Sequence, residues 1–290
     1  MPVPQLKIFR TLWGVEAQFS TDINVLFAEI HRLGYTGVEA SLSDIYRLSN
    51  NDRNVFHQAL HDHKLELIGT VSTSFCPAEP NVWHDLSIGE HLANLDKQLS
   101  ELIEYKPIHV NIQGGQDSWS MAQKEEYFEK ALEIQAKYPQ VTSSHETHRS
   151  RALYNPFITA DMVKRFPNLR LTADYAHFPV VCERLLSHPT DDERFRLFAT
   201  RVDHIHARVA SAQHAQVNDP LESKEESEQM QKWWEIAWNE QKNKKWITLT
   251  PEYGPFPYAM TSEINVWELT NREMERQKDN YAKWAATIQD

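Results

Sequence analysis

Three consecutive segments decide the fold class: PIHVNIQGG (107–115), MAQKEEYFEKALEIQAKY (121–138) and QVTSSHETH (140–148). The first and third carry β-branched residues over a short run, which is typical of strands. The middle segment repeats its apolar residues at helical spacing. Strands that are joined through a helix pair in parallel. The stretch therefore predicts a β–α–β unit.

The same alternation runs along the whole chain. Strand candidates lie at 6–14, 37–41, 65–73, 107–115, 140–148, 169–178, 202–209 and 246–255, and helix candidates at 21–34, 51–63, 89–105, 121–138, 159–166, 191–199, 222–240 and 265–287. Thr21 and Thr159 are the predicted N-caps of their helices. Eight such units predict an α/β protein, a single-domain (β/α)8 TIM barrel over residues 1–290. A doubly wound open sheet is the alternative, but the first turn lacks a G-x-G-x-x-G loop.

Composition narrows the class of protein. The 41 acidic and 30 basic residues give a formal charge of −11, without a Lys/Arg run, which argues against nucleic acid as a partner. Cys76 and Cys182 are too few for a disulfide framework and have no C-x-x-C spacing. Neither a signal-peptide pattern nor a membrane-spanning apolar run occurs, so we expect a cytoplasmic protein that does not bind membranes.

Polar side chains gather at the ends of the last four predicted strands. Strand five ends in HETHR (145–149), strand six in ADYAH (173–177), strand seven in DHIHAR (203–208) and strand eight in TPEYG (250–254). In a barrel these ends meet at one rim, where the loops carry the chemistry. The rim would thus receive Glu146, Asp174, one of His204 and His206, and Glu252.

Alternation along a strand predicts which side chains share a face. His204 and His206 share one, and Ser144 and His148 would share the face of Glu146, with His145 opposite. Three carboxylates crowded together repel one another unless a cation binds between them. An oxygen-rich set with one imidazole is typical of sites for Mn²⁺, Mg²⁺ or Co²⁺ rather than of a thiolate zinc site.

At these residues the chain resembles the xylose isomerase-like TIM barrels, the sugar-phosphate isomerase/epimerase superfamily. That group includes ketose 3-epimerases, hydroxypyruvate isomerase, inosose dehydratase and, more distantly, endonuclease IV. The segments that carry the resemblance are HETHR, DYAH, HIHAR and PEYG. The resemblance implies one divalent metal ion (Mn²⁺, Mg²⁺, Co²⁺ or Zn²⁺) held by Glu146, Asp174, His206 and Glu252. It favours His206 over His204, and it implies that His177 and Arg208 contact the substrate.

Two departures from the epimerase pattern concern the pocket. The epimerases place a second glutamate about six residues after the strand-five ligand, where this chain has Ala152, so His148, Arg149 or Arg151 would fill that part of the pocket. The segment 207–220 is longer than the corresponding epimerase loop and is predicted to be a lid.

Other residues are candidates on weaker grounds. Gln113 ends strand four and is predicted to bind substrate or to pack its loop. Trp13 and Phe75 are candidates for an apolar wall. Glu39, at the end of strand two, faces either the pocket or solvent. Trp233 and Trp234 would anchor the acidic helix or meet a partner subunit, and a homo-oligomer is an open possibility.

Together these observations predict an enzyme that isomerises or epimerises a keto sugar or related polyol through an enediolate, with Glu146 and Glu252 as the metal-bound acid/base pair. A dehydratase or lyase on a keto sugar or keto-glycoside begins with the same proton abstraction and is the alternative. An endonuclease IV-like DNA-binding barrel or a non-catalytic barrel is a third hypothesis. The expected partner is a small carbohydrate, in carbohydrate metabolism, with manganese as one candidate metal.

Overall fold

A computed structural model describes residues 3–74 and 85–288. Eight strands form one closed parallel barrel in chain order, as predicted. They are β1 Gln5–Thr11, β2 Gly37–Ser41, β3 Glu66–Ser72, β4 His109–Gln113, β5 Thr142–Glu146, β6 Leu171–Ala173, β7 Val202–His206 and β8 Trp246–Thr250. β1 pairs with β8, Lys7 opposite Thr248, and this pairing closes the barrel. Phe75 lies outside the described residues.

The helices surround the barrel in the predicted order, with additions. Within the described residues they are α1 Ile23–Arg32, α2 Leu42–Ser49, α3 Arg53–Asp62, α4 Ile88–Leu102, α5 Met121–Gln135, α6 Pro156–Arg165, α7 His177–Cys182, α8 Pro189–Ala199, α9 Lys224–Gln241 and α10 Val266–Thr287. Helices α2 and α7 were not predicted. Strand β6 ends at Ala173, and α7 begins at His177, inside the segment 169–178 that was predicted as a strand. Helix α2 begins directly after β2, where Ser41 and Asp44 form a capping box.

Two predicted helix caps are wrong. Asp22, and not Thr21, caps α1, because its Oδ1 accepts from the backbone N–H groups of the next turn. Helix α6 begins one turn earlier than predicted, with Pro156 in its first position and Asn155 as the cap. An Asn–Pro pair is a stronger start than Thr159, because proline lacks the N–H that a first helical residue leaves unpaired.

The floor beneath the carboxyl-terminal rim of the barrel is polar. His109 on β4 lies 2.7 Å from Ser144 Oγ on β5, and Ser144 lies 2.6 Å from Thr172 Oγ1 on β6. His204 on β7 lies 2.9 Å from Thr248 Oγ1 on β8. Barrel interiors are usually filled by branched aliphatic side chains. Here hydrogen bonds between neighbouring strands take that place and set the positions of the side chains above them.

The apolar core lies between the barrel and its helices. Helix α9 buries Trp233 and Trp234 there, and Trp233 stacks on Phe195 of α8 with 3.9 Å between ring centroids. The two tryptophans therefore anchor α9, which is the first of the two predicted roles. Among the described residues no helix combines the length and the apolar character needed to cross a bilayer.

Candidate metal centre and substrate pocket

Four polar side chains converge at the carboxyl-terminal rim. Glu146 is the last residue of β5, Asp174 follows β6, His206 is the last residue of β7 and Glu252 follows β8. Each offers one ligand atom, and the four atoms lie within 4.8 Å of one another. Three of these side chains are fully buried, and that of Glu252 is 13% exposed. The structure thus brings the predicted ligand set together.

His206 stands at the centre of this group with its two ring nitrogens on different partners. Nδ1 faces the carboxylates, 3.2 Å from Glu252 Oε2, 3.9 Å from Asp174 Oδ2 and 4.0 Å from Glu146 Oε1. Nε2 lies 3.0 Å from Glu39 Oε1. Burial alone would lower the pKa of His206, but Glu39 and Glu252 raise it well above its ordinary value.

Glu39 is buried, which decides between the two environments predicted for it. Its Oε2 lies 3.3 Å from His204 Nε2, and Thr70 donates a hydrogen bond to its Oε1. Burial alone would raise the pKa of Glu39, but His206 and His204 together lower it well below the usual range. Glu39 therefore joins the two histidines of the H-x-H pattern, and His204 lies outside the four-residue ligand set.

The donor set fits a divalent cation. Glu146 Oε1 and His206 Nδ1 are buried and form no hydrogen bond with other described residues. Burial raises the pKa of Glu146 to about 8, His206 offsets part of that rise, and Glu252 and Asp174 add to it. A cation relieves the repulsion among the carboxylates and can accept electron pairs from Glu146 Oε1 and His206 Nδ1 together. Three carboxylates and one imidazole match the preferences of Mn²⁺, Mg²⁺, Co²⁺ and Zn²⁺.

Arg208 lies against this set. Its Nη2 donates to Asp174 Oδ2, lies 3.4 Å from Glu252 Oε2 and lies 2.8 Å from His177 Nε2. Burial alone would raise the pKa of Asp174, but Arg208 and His177 hold it well below its usual range. Arg208 thus places a fixed positive charge beside two of the candidate ligands. Its contact with substrate remains a prediction.

His148 and His177 pack against each other beside the ligand set. Their ring centroids are 3.9 Å apart, and His148 Nε2 lies 3.3 Å from the hydroxyl of Tyr258. Burial lowers the pKa of His177 to about 4, although Asp174 opposes the shift. With Glu146 these two histidines form a second group of potential ligand atoms within 4.8 Å of one another.

Gln113 contacts a candidate ligand. Its Nε2 donates to Glu146 Oε2 at 3.1 Å, and Asn111 donates to the same oxygen at 2.5 Å. Two amides therefore hold one oxygen of Glu146 and leave Oε1 directed at the ligand set. Asn111 was not predicted. It stands two residues before Gln113 on β4, so strand alternation alone could have placed it on the same face.

Trp13 and Tyr258 form an aromatic wall. Their rings meet edge to face with 4.9 Å between centroids. Trp13 lies against Gly254, where an added Cβ would stand 2.0 Å from the Trp13 ring. Tyr258 was missed, because it belongs to the irregular segment after β8, where no periodicity indicates which side chains face the pocket.

The segment 207–220, which follows β7, is hydrogen-bonded to the segment that follows β8. Gln216 Nε2 donates to the carbonyl of Gly254 at 3.0 Å, and the N–H of Gly254 donates to Gln216 Oε1 at 2.8 Å. Residues 207–210 and 215–217 are buried. This part of the predicted lid is therefore packed into the rim and held to the segment after β8 by two hydrogen bonds.

Comparisons with known proteins identify the fold. No protein-family model and no curated protein matches the chain. Among solved structures, the probable 3-DHS dehydratase AsbF of Bacillus anthracis is similar, at 12% identity over 94% of this chain and 99% of that one, with a TM-score of 0.64. D-psicose 3-epimerase of Clostridium cellulolyticum H10, solved with D-tagatose, is 13% identical over 97% and 99%, with a TM-score of 0.61. The IolI protein, solved with a zinc atom, is also 13% identical over 97% and 99%, with a TM-score of 0.61.

These similarities confirm the predicted resemblance at the level of fold. The chain has the same barrel architecture as a D-psicose 3-epimerase and a probable dehydratase. A shared fold at this identity does not transfer a reaction. The chemistry therefore has to be argued from the site of this chain.

Proposed function

We propose that this chain is a divalent-metal-dependent isomerase or epimerase of a keto sugar or related polyol. The observation that carries the proposal is the convergence of Glu146, Asp174, His206 and Glu252, whose ligand atoms lie within 4.8 Å of one another. When bound there, a divalent ion would polarise a hydroxy-carbonyl group and stabilise the charge of an enediolate.

Glu146 and Glu252 would be the acid/base pair of this reaction. Asn111 and Gln113 hold Oε2 of Glu146, so its Oε1 is the atom available to exchange a proton or contact a cation. Glu252 belongs to a different strand end, and its partly exposed carboxylate can return protons to solvent. Two carboxylates from separate strands can serve neighbouring carbons, or opposite faces of one carbon, which isomerisation and epimerisation require.

The remaining polar groups would orient the substrate. Arg208 and His177 stand beside Asp174 and offer donors to substrate hydroxyl groups. Trp13 and Tyr258 form an apolar surface on which the carbon skeleton of a sugar can lie. Burial of the ligand set excludes water, which strengthens each electrostatic interaction in the site.

Metal content tests the proposal. Protein purified without chelator is analysed by elemental mass spectrometry, then again after incubation with Mn²⁺, Mg²⁺, Co²⁺ or Zn²⁺. We expect about one divalent ion per chain, lost in His206→Ala and retained in His61→Ala, whose side chain is 83% exposed on α3. Absence of metal under all conditions would contradict the proposal.

Product mass then decides the reaction. Keto sugars incubated with the loaded protein should give products of unchanged mass. A product lighter by one water would instead identify the dehydratase or lyase reaction that the sequence also allows.

A further inference from the structure

Two arginines stand on the loop that follows β5, which ends in the candidate ligand Glu146. Arg149 comes three residues after the candidate ligand Glu146, and Arg151 donates from Nη2 to Ser72 Oγ at the end of β3, at 3.5 Å. Both side chains are half-buried. The proposed isomerisation gives neither of them a task.

Tyr258 places Arg149 next to the site. The guanidinium carbon of Arg149 lies 4.9 Å from the Tyr258 ring centroid, and that of Arg208 lies 5.0 Å from the same centroid. The hydroxyl of this tyrosine contacts His148, whose ring packs on His177. A guanidinium that lies over an aromatic ring is restricted in orientation, and the N–H donors of Arg149 that do not contact Tyr258 can still reach a ligand.

Arg208 and Arg149 differ in whether a carboxylate neutralises their charge. Arg208 is engaged by Asp174 and Glu252. Glu39 is engaged by His204 and His206. A divalent ion together with Arg208 balances the three carboxylates of the ligand set. Arg149 forms no ion pair with any carboxylate in residues 3–74 and 85–288, so its charge adds a positive potential beside Tyr258.

We propose that the substrate carries an oxyanion group, a carboxylate or a phosphate, and that Arg149 binds it. Arginine pairs with both groups through two parallel N–H donors, and a half-buried site strengthens the interaction. The hydroxy-carbonyl end of the same molecule would lie at the ligand set, with Tyr258 between the two ends. This inference rests on the proposed function and narrows its substrate to an anionic polyol.

A matched trio of ligands tests the inference. D-fructose, D-fructuronate and D-fructose 6-phosphate share a keto sugar skeleton and differ in the group on their last carbon. Binding is measured by calorimetry on the metal-loaded protein. We expect at least one anionic member to bind about tenfold more tightly than fructose, the usual worth of a hydrogen bond to a charged group. The anionic ligand that binds more tightly shows whether the site prefers a carboxylate or a phosphate.

Two variants assign the preference to its residue. Arg149→Gln should abolish the difference between the anionic ligands and fructose, and Arg149→Lys should restore part of it, because lysine keeps the charge and loses the paired donors. Arg53→Gln, exposed on α3, is the control and should keep the full preference. Equal binding of all three ligands, failure of both anionic ligands to bind, or a preference that survives Arg149→Gln would overturn the inference.

The test separates the two proposals because metal content is read in the same samples. A loaded protein without anionic preference overturns only the role of Arg149. A protein that takes up no metal overturns the proposed function, and the preference is then decided by the same titration on the metal-free protein.

Discussion

Glu39 Oε1 lies 3.0 Å from His206 Nε2, on the side of the imidazole ring opposite to the nitrogen that faces the carboxylates. A carboxylate in this position fixes which ring nitrogen carries the proton and makes the other a better metal ligand. We therefore expect Glu39 to act as a positioning residue for the candidate metal centre.

Glu39→Gln should weaken metal binding by about 10- to 100-fold, as loss of such a partner does in other metal sites. The measurement is a titration of metal-stripped protein with Co²⁺ or Mn²⁺. Glu66→Gln is the matched control, because Glu66 pairs with Lys7 at the start of β3, away from the ligand set. Equal metal affinities for the two variants would show that Glu39 does not tune His206.

Glu146→Gln and Glu252→Gln should each lower turnover of a converted substrate by roughly 10²- to 10⁴-fold, the usual contribution of a general acid or base. Each substitution keeps the shape of the side chain and removes its proton-accepting charge. The measurement is the steady-state rate, with Glu228→Gln, exposed on α9, as the control. Full turnover in both variants would exclude the two-glutamate mechanism.

Asp203 should stabilise the fold by about 2 kcal/mol at neutral pH. Burial alone would raise its pKa, but hydrogen bonds from Arg170 and the charge of Lys244 lower it to about 2. Because the folded pKa is below the unfolded one, this contribution is complete above about pH 4 and disappears as the pH falls towards 2. Urea unfolding of Asp203→Asn should show the deficit at pH 7 and little of it near pH 2. An equal deficit at both pH values, or one shared by the exposed Asp279→Asn, would contradict the assignment.

Gly254→Ala should destabilise the protein by about 1–3 kcal/mol, because the new methyl group would overlap the Trp13 ring. The double variant Gly254→Ala with Trp13→Leu, in which a smaller side chain replaces the indole, should recover part of the lost stability. Gly89→Ala on α4 is the control, since an added Cβ there meets only Ser87 Oγ at 4.0 Å. Thermal unfolding measures all three. A Gly254→Ala protein as stable as the control would mean that the Trp13 ring can move away from the new methyl group without loss of stability.

Local patterns were sufficient to predict the barrel and the convergence of the last four strand ends, whereas the choice of His206 over His204 depended on the family resemblance. The β–α alternation is carried by short-range periodicity, and Glu146 and His206 end strands whose two-residue repeat defines the inward face. The same rule succeeds for Ser144, which lies in the polar floor, and for His145, which packs against Phe128 on the outside.

Residues beyond the strand ends could not be predicted in the same way. Alternation correctly places His148 near Glu146, although His148 comes after the last residue of β5, but its contact with His177 depends on the path of the loop. The pairing of Arg208 with Asp174 and the contacts of the Tyr258 ring with Arg149 and Arg208 are likewise tertiary contacts. No spacing rule in one sequence specifies them.

The polar floor affects how such a site can change during evolution or be redesigned. Hydrogen bonds are directional, whereas aliphatic packing tolerates small rotations. The floor residue His204 also contacts Glu39, and Glu39 contacts His206. Replacing hydroxyl and imidazole groups of this layer by aliphatic ones of similar volume would leave a well-filled barrel whose uppermost side chains lack a defined orientation. The polar floor and the candidate metal site thus belong to one hydrogen-bond network, so substitutions deep in the interior should reorient side chains at the site without any change at its surface.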